Sequence, residues 1–423
     1  MSGQAYINIK QLVNVRHESH VLRGKELGQL PVIENAFLII EDGIIAEYGE
    51  MKNIQYSILK IHGQIDCTGQ MILPCWCDSH THIVFEGSRE NEFVDKINGL
   101  SYSEIAENGG GILSSAARLN AASEDELFNN AWKRLQEVSK LGTGAIEIKS
   151  GYGLTVSGEL KMLRVTKRLK EKSPLSIKST FLGAHTYPTE YKNNHDEYIK
   201  LIINEMLPVI ANEKLADYID VFCENNFFSP QETEQICIAA KQYGLNPKLH
   251  VNQLNSIGGI ECGIKMNAIS LDHLETLTET EIILLTGKSP RQSAGEVWRG
   301  LCTLLPTAAF FLRMPFPPAR KLIESGCAIA LASDYNPGSS PGGNMNFVVS
   351  LSCIQMKMLP EEAINAATIN GAYAMELGDQ LGSITVGKKA NLIFIKPIPS
   401  VAYIPYSFAS NLIDKVMIHG EFI

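Results

Sequence analysis

Eight short apolar runs recur through the middle of the chain, and polar stretches separate them. In order they are MILPCWCD from Met71, GTGAIEIKS, SIKSTFLGAH, YIDVFCEN, NPKLHVNQ, AISLDHLE, LCTLLP and CAIALASD. A strand with one wet face alternates apolar and polar residues, whereas a run apolar at nearly every position predicts a strand covered on both faces. Most of the intervening segments carry helical spacing, for example Val156 to Glu171 and Pro230 to Tyr243. Buried strands alternating with helices predict parallel βα units. Eight such units predict an α/β fold of the (β/α)8 TIM-barrel type.

Both ends of the chain follow another pattern. Ala36 to Glu50, AFLIIEDGIIAEYGE, is two apolar runs joined by Glu41-Asp42-Gly43, which predicts a hairpin. Short alternating segments continue from Ile54 to Cys67. After Pro360, PEEAINAATINGAYAMEL predicts a helix. LGSITVGKKANLIFIKP then alternates around a Val386-Gly387-Lys388 turn, and Leu412 to Ile423 reads as a further strand. The predicted organisation is a barrel over 71–377 and a small β-sandwich domain assembled from 1–70 and 378–423.

Composition narrows the function classes. A chain of 423 residues can bury a large core without disulfide staples. Its 45% hydrophobic and 20% charged residues are globular values, which exclude disorder, collagen and coiled coil. The net charge is −9, and no run of five like charges occurs, so nucleic acid is not an expected partner. A small molecule is the better expectation. The nine cysteines are odd in number, sit mostly in apolar runs and form no C-x-x-C pair. They read as buried free thiols in a reducing, cytoplasmic setting. The N-terminus lacks a secretory pattern, and no window approaches 18 uninterrupted apolar residues, so no membrane span is expected.

Candidate chemistry falls at the strand ends. Of the ten histidines, His80, His82, His185, His250 and His273 end predicted strands, on the face where such barrels place their active sites. His80 and His82 are two apart, so on a strand they point to the same side and can grip one metal ion. An isolated H-x-H pair is weak evidence. His250, His273 and Asp334, each taken alone, read as core or loop residues. Together they are three strands, each ending in a metal-competent side chain at one mouth. His80, His82, His250 and Asp334 form a set suited to zinc or ferrous iron, with room for a water. Such an ion lowers the pKa of water from about 15.7 toward about 7 and polarises a carbonyl. Asp334 would accept the water proton and pass it to a leaving nitrogen. His273 would stabilise the developing oxyanion or assist proton transfer. Arg89 follows the first barrel strand and can pair bidentately with the carboxylate of an anionic substrate. Tyr102, Tyr152 and His185 lie just past strands, where tyrosines by themselves read as packing residues. Lys149 reads as structural, because the ligand set is complete without it.

Through PCWCDSHTH, KLHVNQ, SLDHLE and LASDYNPGSSP the chain resembles the amidohydrolase superfamily of metal-dependent hydrolases. HTHIVFEGSRENEF, NGLSYSEIAENGGGI, EIKSGYGLT, STFLGAHTYP and ASDYNPGSSP narrow the resemblance to its ring-opening members in histidine breakdown, from about Leu30 to about Gly387. The resemblance implies one divalent ion, zinc or iron, on His80, His82, His250 and Asp334, with His273 catalytic. It implies substrate contacts by Arg89, Tyr102, Tyr152, His185, Gln253, Asn336, Gly338 and Ser339. The implied reaction is hydrolysis of the cyclic amide of 4-imidazolone-5-propanoate to N-formimidoyl-L-glutamate, by a cytoplasmic homodimer. One position departs from the family pattern. Many members carry glutamate three residues after the third metal histidine, and this chain has Gln253. Glutamine can hydrogen-bond the ring but cannot exchange a proton, so that work would fall to Asp334 or His273. The alternatives are another cyclic-amide hydrolase or a deaminase of the same superfamily, and a catalytically silent binding barrel. The four retained ligands count against the silent barrel. Thr286 to Gly300 fits neither strand nor helix.

Overall fold

The computed structural model describes residues 3–55, 63–100, 104, 110–287 and 298–423. Five strands precede the barrel: β1 (Gln4–Val13), β2 (Val32–Glu41), β3 (Ile44–Glu50), β4 (Gly63–Asp66) and β5 (Met71–Pro74). The barrel strands are β6 (Trp76–Thr81), β7 (Thr143–Lys149), β8 (Ser176–Ala184), β9 (Tyr218–Cys223), β10 (Asn246–Val251), β11 (Ser270–His273), β12 (Leu301–Leu304) and β13 (Ile329–Leu331). Three more follow: β14 (Leu392–Ile395), β15 (Ile413–Ile418) and β16 (Glu421–Phe422).

Each of the eight apolar runs contributes one barrel strand. β6 to β13 lie in sequence order, every neighbour parallel. The ring closes through a bridge between Thr81 and Tyr335. His82 N–H donates to Tyr335 O at 2.9 Å, and Asp334 N–H donates to His80 O at 3.0 Å. The seam therefore brings the ends of β6 and β13, and their functional residues, side by side. Side-chain caps fix where several outer helices begin. Ser123, Ser229 and Thr278 each form a capping box with a glutamate three residues on.

The remaining strands form one mixed sheet in the order β16-β15-β14-β5-β1-β2-β3, with β4 beside β1. Both chain ends contribute to it. The expected hairpin is β2 and β3, turning at Asp42 (φ 50°) and Gly43 (φ 78°), two positive φ values of the kind tight hairpins need. A Cβ on Gly43 would lie 2.5 Å from His419 O, so the turn packs directly on the C-terminal segment.

Two expected elements are divided. The run MILPCWCD changes sheets part-way: β5 pairs with β1 and β14, and the barrel begins at Trp76. Cys75 N–H donates to Asn391 O and Trp76 N–H to Gly142 O, so the switch takes two residues. The helix expected after Pro360 is two, Pro360–Ala367 and Ile369–Ala374. They break at Thr368, whose hydroxyl donates to Ile364 O and accepts from Asn14 Nδ2 of the region after β1. Among the described residues no helix is long and apolar enough to cross a membrane. All nine cysteines are free thiols, eight of them buried.

Candidate metal centre and active site

Alternation along β6 sends Asp78 and His80 into the barrel, and His82 follows on the same side. β10 delivers His250 opposite them. Ligand atoms of His80, His82 and His250 lie within 4.8 Å of one another, and all three rings are buried. Asp334 Oδ1 is 3.6 Å from both His80 Nε2 and His82 Nε2.

Each imidazole is held from behind. His80 Nδ1 pairs with Asp272 Oδ2 at 2.7 Å and His250 Nδ1 with Asp220 Oδ2 at 2.8 Å. His82 Nδ1 lies 3.3 Å from Ser150 O. These acceptors favour the Nδ1–H tautomer, which leaves the Nε2 lone pair for a metal. His80 Nε2 is buried with no hydrogen-bond partner. A buried orphan of this kind is costly in a native core. Burial, then the positive charge of Lys149 and the neighbouring rings, holds His80 well below the ordinary histidine range. His82 and His250 are lowered too, again chiefly by burial. Three neutral imidazoles beside a carboxylate fit one divalent cation of the zinc or iron type. Burial also pushes the Asp334 carboxyl up to about 6, the direction a nearby cation reverses.

The loops at this mouth are bent hard. His273 (φ 83°), Leu274 (φ 67°) and Asp334 (φ 52°) all have left-handed backbone. Such backbone in non-glycine residues stores strain and clusters at functional sites. The His273 ring lies 5.2 Å from that of His250 and 5.7 Å from that of His80. Its Nδ1 is 3.4 Å from Glu275 Oε1. Burial opposes charge on His273, but Glu275 and then Asp334 outweigh it and raise its pKa.

Asn336 Nδ2 donates to Asp334 O and Ser339 Oγ, and its Oδ1 accepts from the N–H groups of Gly338 and Ser339. Its amide is committed to shaping the loop. Ser339 Oγ in turn donates to Asp334 Oδ2 at 3.2 Å. Arg89 sends Nε and one terminal nitrogen to Glu92, at 2.9 and 2.5 Å. The other terminal nitrogen faces Gly338, where a Cβ would come within 2.3 Å of it. A side chain at this position would displace that nitrogen. Arg89 also lines a cavity of about 580 Å³ with Phe85, Phe93, Phe311 and Tyr335. The histidine cluster does not line that cavity.

His185 stacks on His82 with centroids 5.7 Å apart, and its Nδ1 lies 2.9 Å from Gly151 O. Burial lowers it to about 4, so it is a neutral wall. Tyr152 is buried, its ring 5.9 Å from His82 and 5.4 Å from His185. Gln253 is half-buried just after Asn252, another left-handed residue (φ 54°). Tyr102 and 288–297 lie outside the described residues.

The sequence reading missed Asp220, Asp272, Glu147, Lys248 and Glu275, all buried. A signal for some was present. Glu147 precedes Lys149 by two residues, and Lys248 precedes His250 by two, so each pair shares the inward face of its strand.

Residues 148–423 match the amidohydrolase family. A protein named imidazolonepropionase from Flavobacterium johnsoniae is 56% identical over 417 residues, 98% of each chain. Another of that name from Clostridium tetani is 41% identical over 401 residues, 95% of this chain and 93% of its own. This chain belongs to the imidazolonepropionases, within the amidohydrolase family. As an imidazolonepropionase it is a hydrolase acting on a C–N bond. The fold reaches wider than the name. The solved guanine deaminase of E. coli superposes with a TM-score of 0.71 at 14% identity, covering 100% of this chain and 99% of its own. The 5-methylcytosine deaminase of Klebsiella pneumoniae gives 0.72 at 16%, covering 99% and 97%. At that identity the shared feature is the barrel with its accompanying sheet.

Proposed function

We propose that the chain hydrolyses the cyclic amide of 4-imidazolone-5-propanoate to N-formimidoyl-L-glutamate. One divalent ion, zinc or iron, would be held by His80, His82, His250 and Asp334. The observation that carries this reading is the cluster of three buried imidazoles, each fixed through Nδ1, beside Asp334. When bound, the ion supplies polarisation of the ring carbonyl and a water acidic enough to attack near neutral pH.

The chain's own residues do the rest. Asp334 takes a proton from the attacking water and delivers it to the ring nitrogen as the C–N bond breaks. Ser339 steadies the Asp334 carboxylate for both transfers. His273, whose pKa Glu275 raises, faces the oxygen that gains negative charge. Arg89 receives the propionate through the nitrogen facing Gly338, while Glu92 holds the guanidinium plane. Tyr152 and His185 wall the ring. Gln253 hydrogen-bonds the ring at the rim and moves no proton.

We assign the chemistry to 71–377 and a supporting role to the composite of 1–70 and 378–423. The enzyme would act as a cytoplasmic homodimer on a small anion, without nucleic acid or membrane. The test is to supply purified protein with zinc or ferrous iron and imidazolone propionate. The ring absorbance should decay as N-formimidoyl-glutamate accumulates by mass spectrometry. No decay with either metal, alongside release of ammonia from guanine or cytosine, would move the chain to the deaminase reading.

A further inference from the structure

We propose that Lys149 is a positioning residue of the metal centre: one buried ammonium locks the two carboxylates that aim His80 and His250. The proposal rests on the reading that these histidines hold the ion.

Lys149 ends β7 and its side chain has no exposure to solvent. Its Nζ lies 2.7 Å from Asp220 Oδ2, 2.8 Å from Glu147 Oε1 and 3.4 Å from Asp272 Oδ2. The carboxylate oxygens matter here. Asp220 Oδ2 is the same atom that pairs with His250 Nδ1, and Asp272 Oδ2 the same atom that pairs with His80 Nδ1. Each of these oxygens is shared between one imidazole and the ammonium. The other oxygens are occupied too. Asp220 Oδ1 accepts from His250 N–H at 3.1 Å, and Asp272 Oδ1 accepts from Ser270 Oγ at 2.6 Å. Neither carboxylate can turn without breaking its contact to Lys149. One ammonium thus couples β6, β7, β9, β10 and β11 to the direction of two ring nitrogens.

Two neighbours sharpen the inference. Lys248 is equally buried, but it donates to Glu147, Ser79 O and Ala374 O. None of these acceptors touches a metal-facing ring. Lys248 meets Lys149 only through the shared Glu147, so its loss tests a buried lysine that holds neither Asp220 nor Asp272 directly. His82 is aimed by a backbone carbonyl, Ser150 O. Loss of Lys149 should disturb His80 and His250 while leaving His82 in place. Without the ammonium, Asp220 and Asp272 would be two like charges in a dry space. With no cation between them they would move apart, and the two oxygens that fix the imidazoles would leave their places.

The test compares the full-length wild type, Lys149→Met, Lys149→Gln and Lys248→Met. Zinc affinity is read by competition with a chelator, and ligand geometry by the visible spectrum of the cobalt-substituted protein. Far-UV circular dichroism reports folding. Lys149→Met should weaken zinc binding about 10–100-fold and alter the cobalt spectrum. Lys149→Gln, which keeps a donor, should recover part of that loss, and it carries the comparison if Lys149→Met does not fold. Lys248→Met should lower the melting temperature and keep the wild-type spectrum. A folded Lys149 variant with wild-type zinc affinity and spectrum overturns the proposal. So does an equal loss of affinity in Lys248→Met. If the wild type itself takes up no divalent ion, the metal reading fails beneath it, a result distinct from either.

Discussion

The terminal sheet and the mouth of the barrel both bend into left-handed backbone, but with different residues. Around the sheet the bends fall on Asn8, Asn14, Asn35, Asp42 and His419. Asparagine and aspartate adopt this conformation most readily among residues with a side chain. At the mouth they fall on Leu154, Asn252, His273, Leu274 and Asp334. His273 and Leu274 are consecutive, and leucine is not suited to it. Burial shows the same contrast. Tyr6, Leu38, Ile72 and Phe394 pack an apolar face of the sheet. The barrel instead encloses Asp78, Glu147, Lys149, Asp220, Lys248 and Asp272, all without exposure. Buried charges and left-handed backbone at residues other than glycine each cost stability unless the surroundings compensate. The sheet follows the rules of a stable fold, and the mouth departs from them where chemistry needs fixed polar groups.

That contrast can be broken by substitution. Asp334→Asn should lower kcat by about 10²–10⁴-fold, the usual contribution of a positioned acid–base group. The metal-free form of this variant should melt no lower than the metal-free wild type, because it removes a carboxyl that burial disfavours. A clear drop in that melting temperature would show the residue to be structural. Leu38→Ala should do the reverse. It should cost about 2–5 kcal/mol of stability by opening a cavity in the sheet. Turnover per folded molecule should be unchanged, and a large loss there would mean that the sheet participates in the chemistry.

Smaller effects test the rim. Arg89→Ala removes a charge-assisted contact and should raise KM by roughly 10–100-fold with little change in kcat. Equal loss in kcat at constant KM would place Arg89 in the transition state instead. Gln253→Glu should leave kcat within about twofold across pH. A new ionisation in the profile would show that a proton can be routed through this position.

The barrel was legible because its eight strands are almost wholly buried and read as mainly apolar runs. His80 and His82 were legible because two-residue spacing has one geometric meaning on a strand. Asp220 and Asp272 were not, because a single acid inside an apolar run has no meaning until its strand has neighbours. Only the closed ring of strands from β6 to β13 sets them against Lys149, His250 and His80. The sheet change within MILPCWCD was hidden for a similar reason, since pairing with β14 comes from residues more than 300 positions on. The helix break at Thr368 depends on Asn14, 354 positions away. Arg89 and Glu92, three apart at a helix start, were within reach of local reasoning. Their pairing leaves one guanidinium nitrogen, rather than the whole fork, for a substrate.

The most direct test of the account is anomalous diffraction from crystals grown with zinc or ferrous iron. The account predicts one ion, bonded to the Nε2 atoms of His80, His82 and His250 and to the Asp334 carboxylate. An ion bound elsewhere, or none in crystals loaded with either metal, would contradict it.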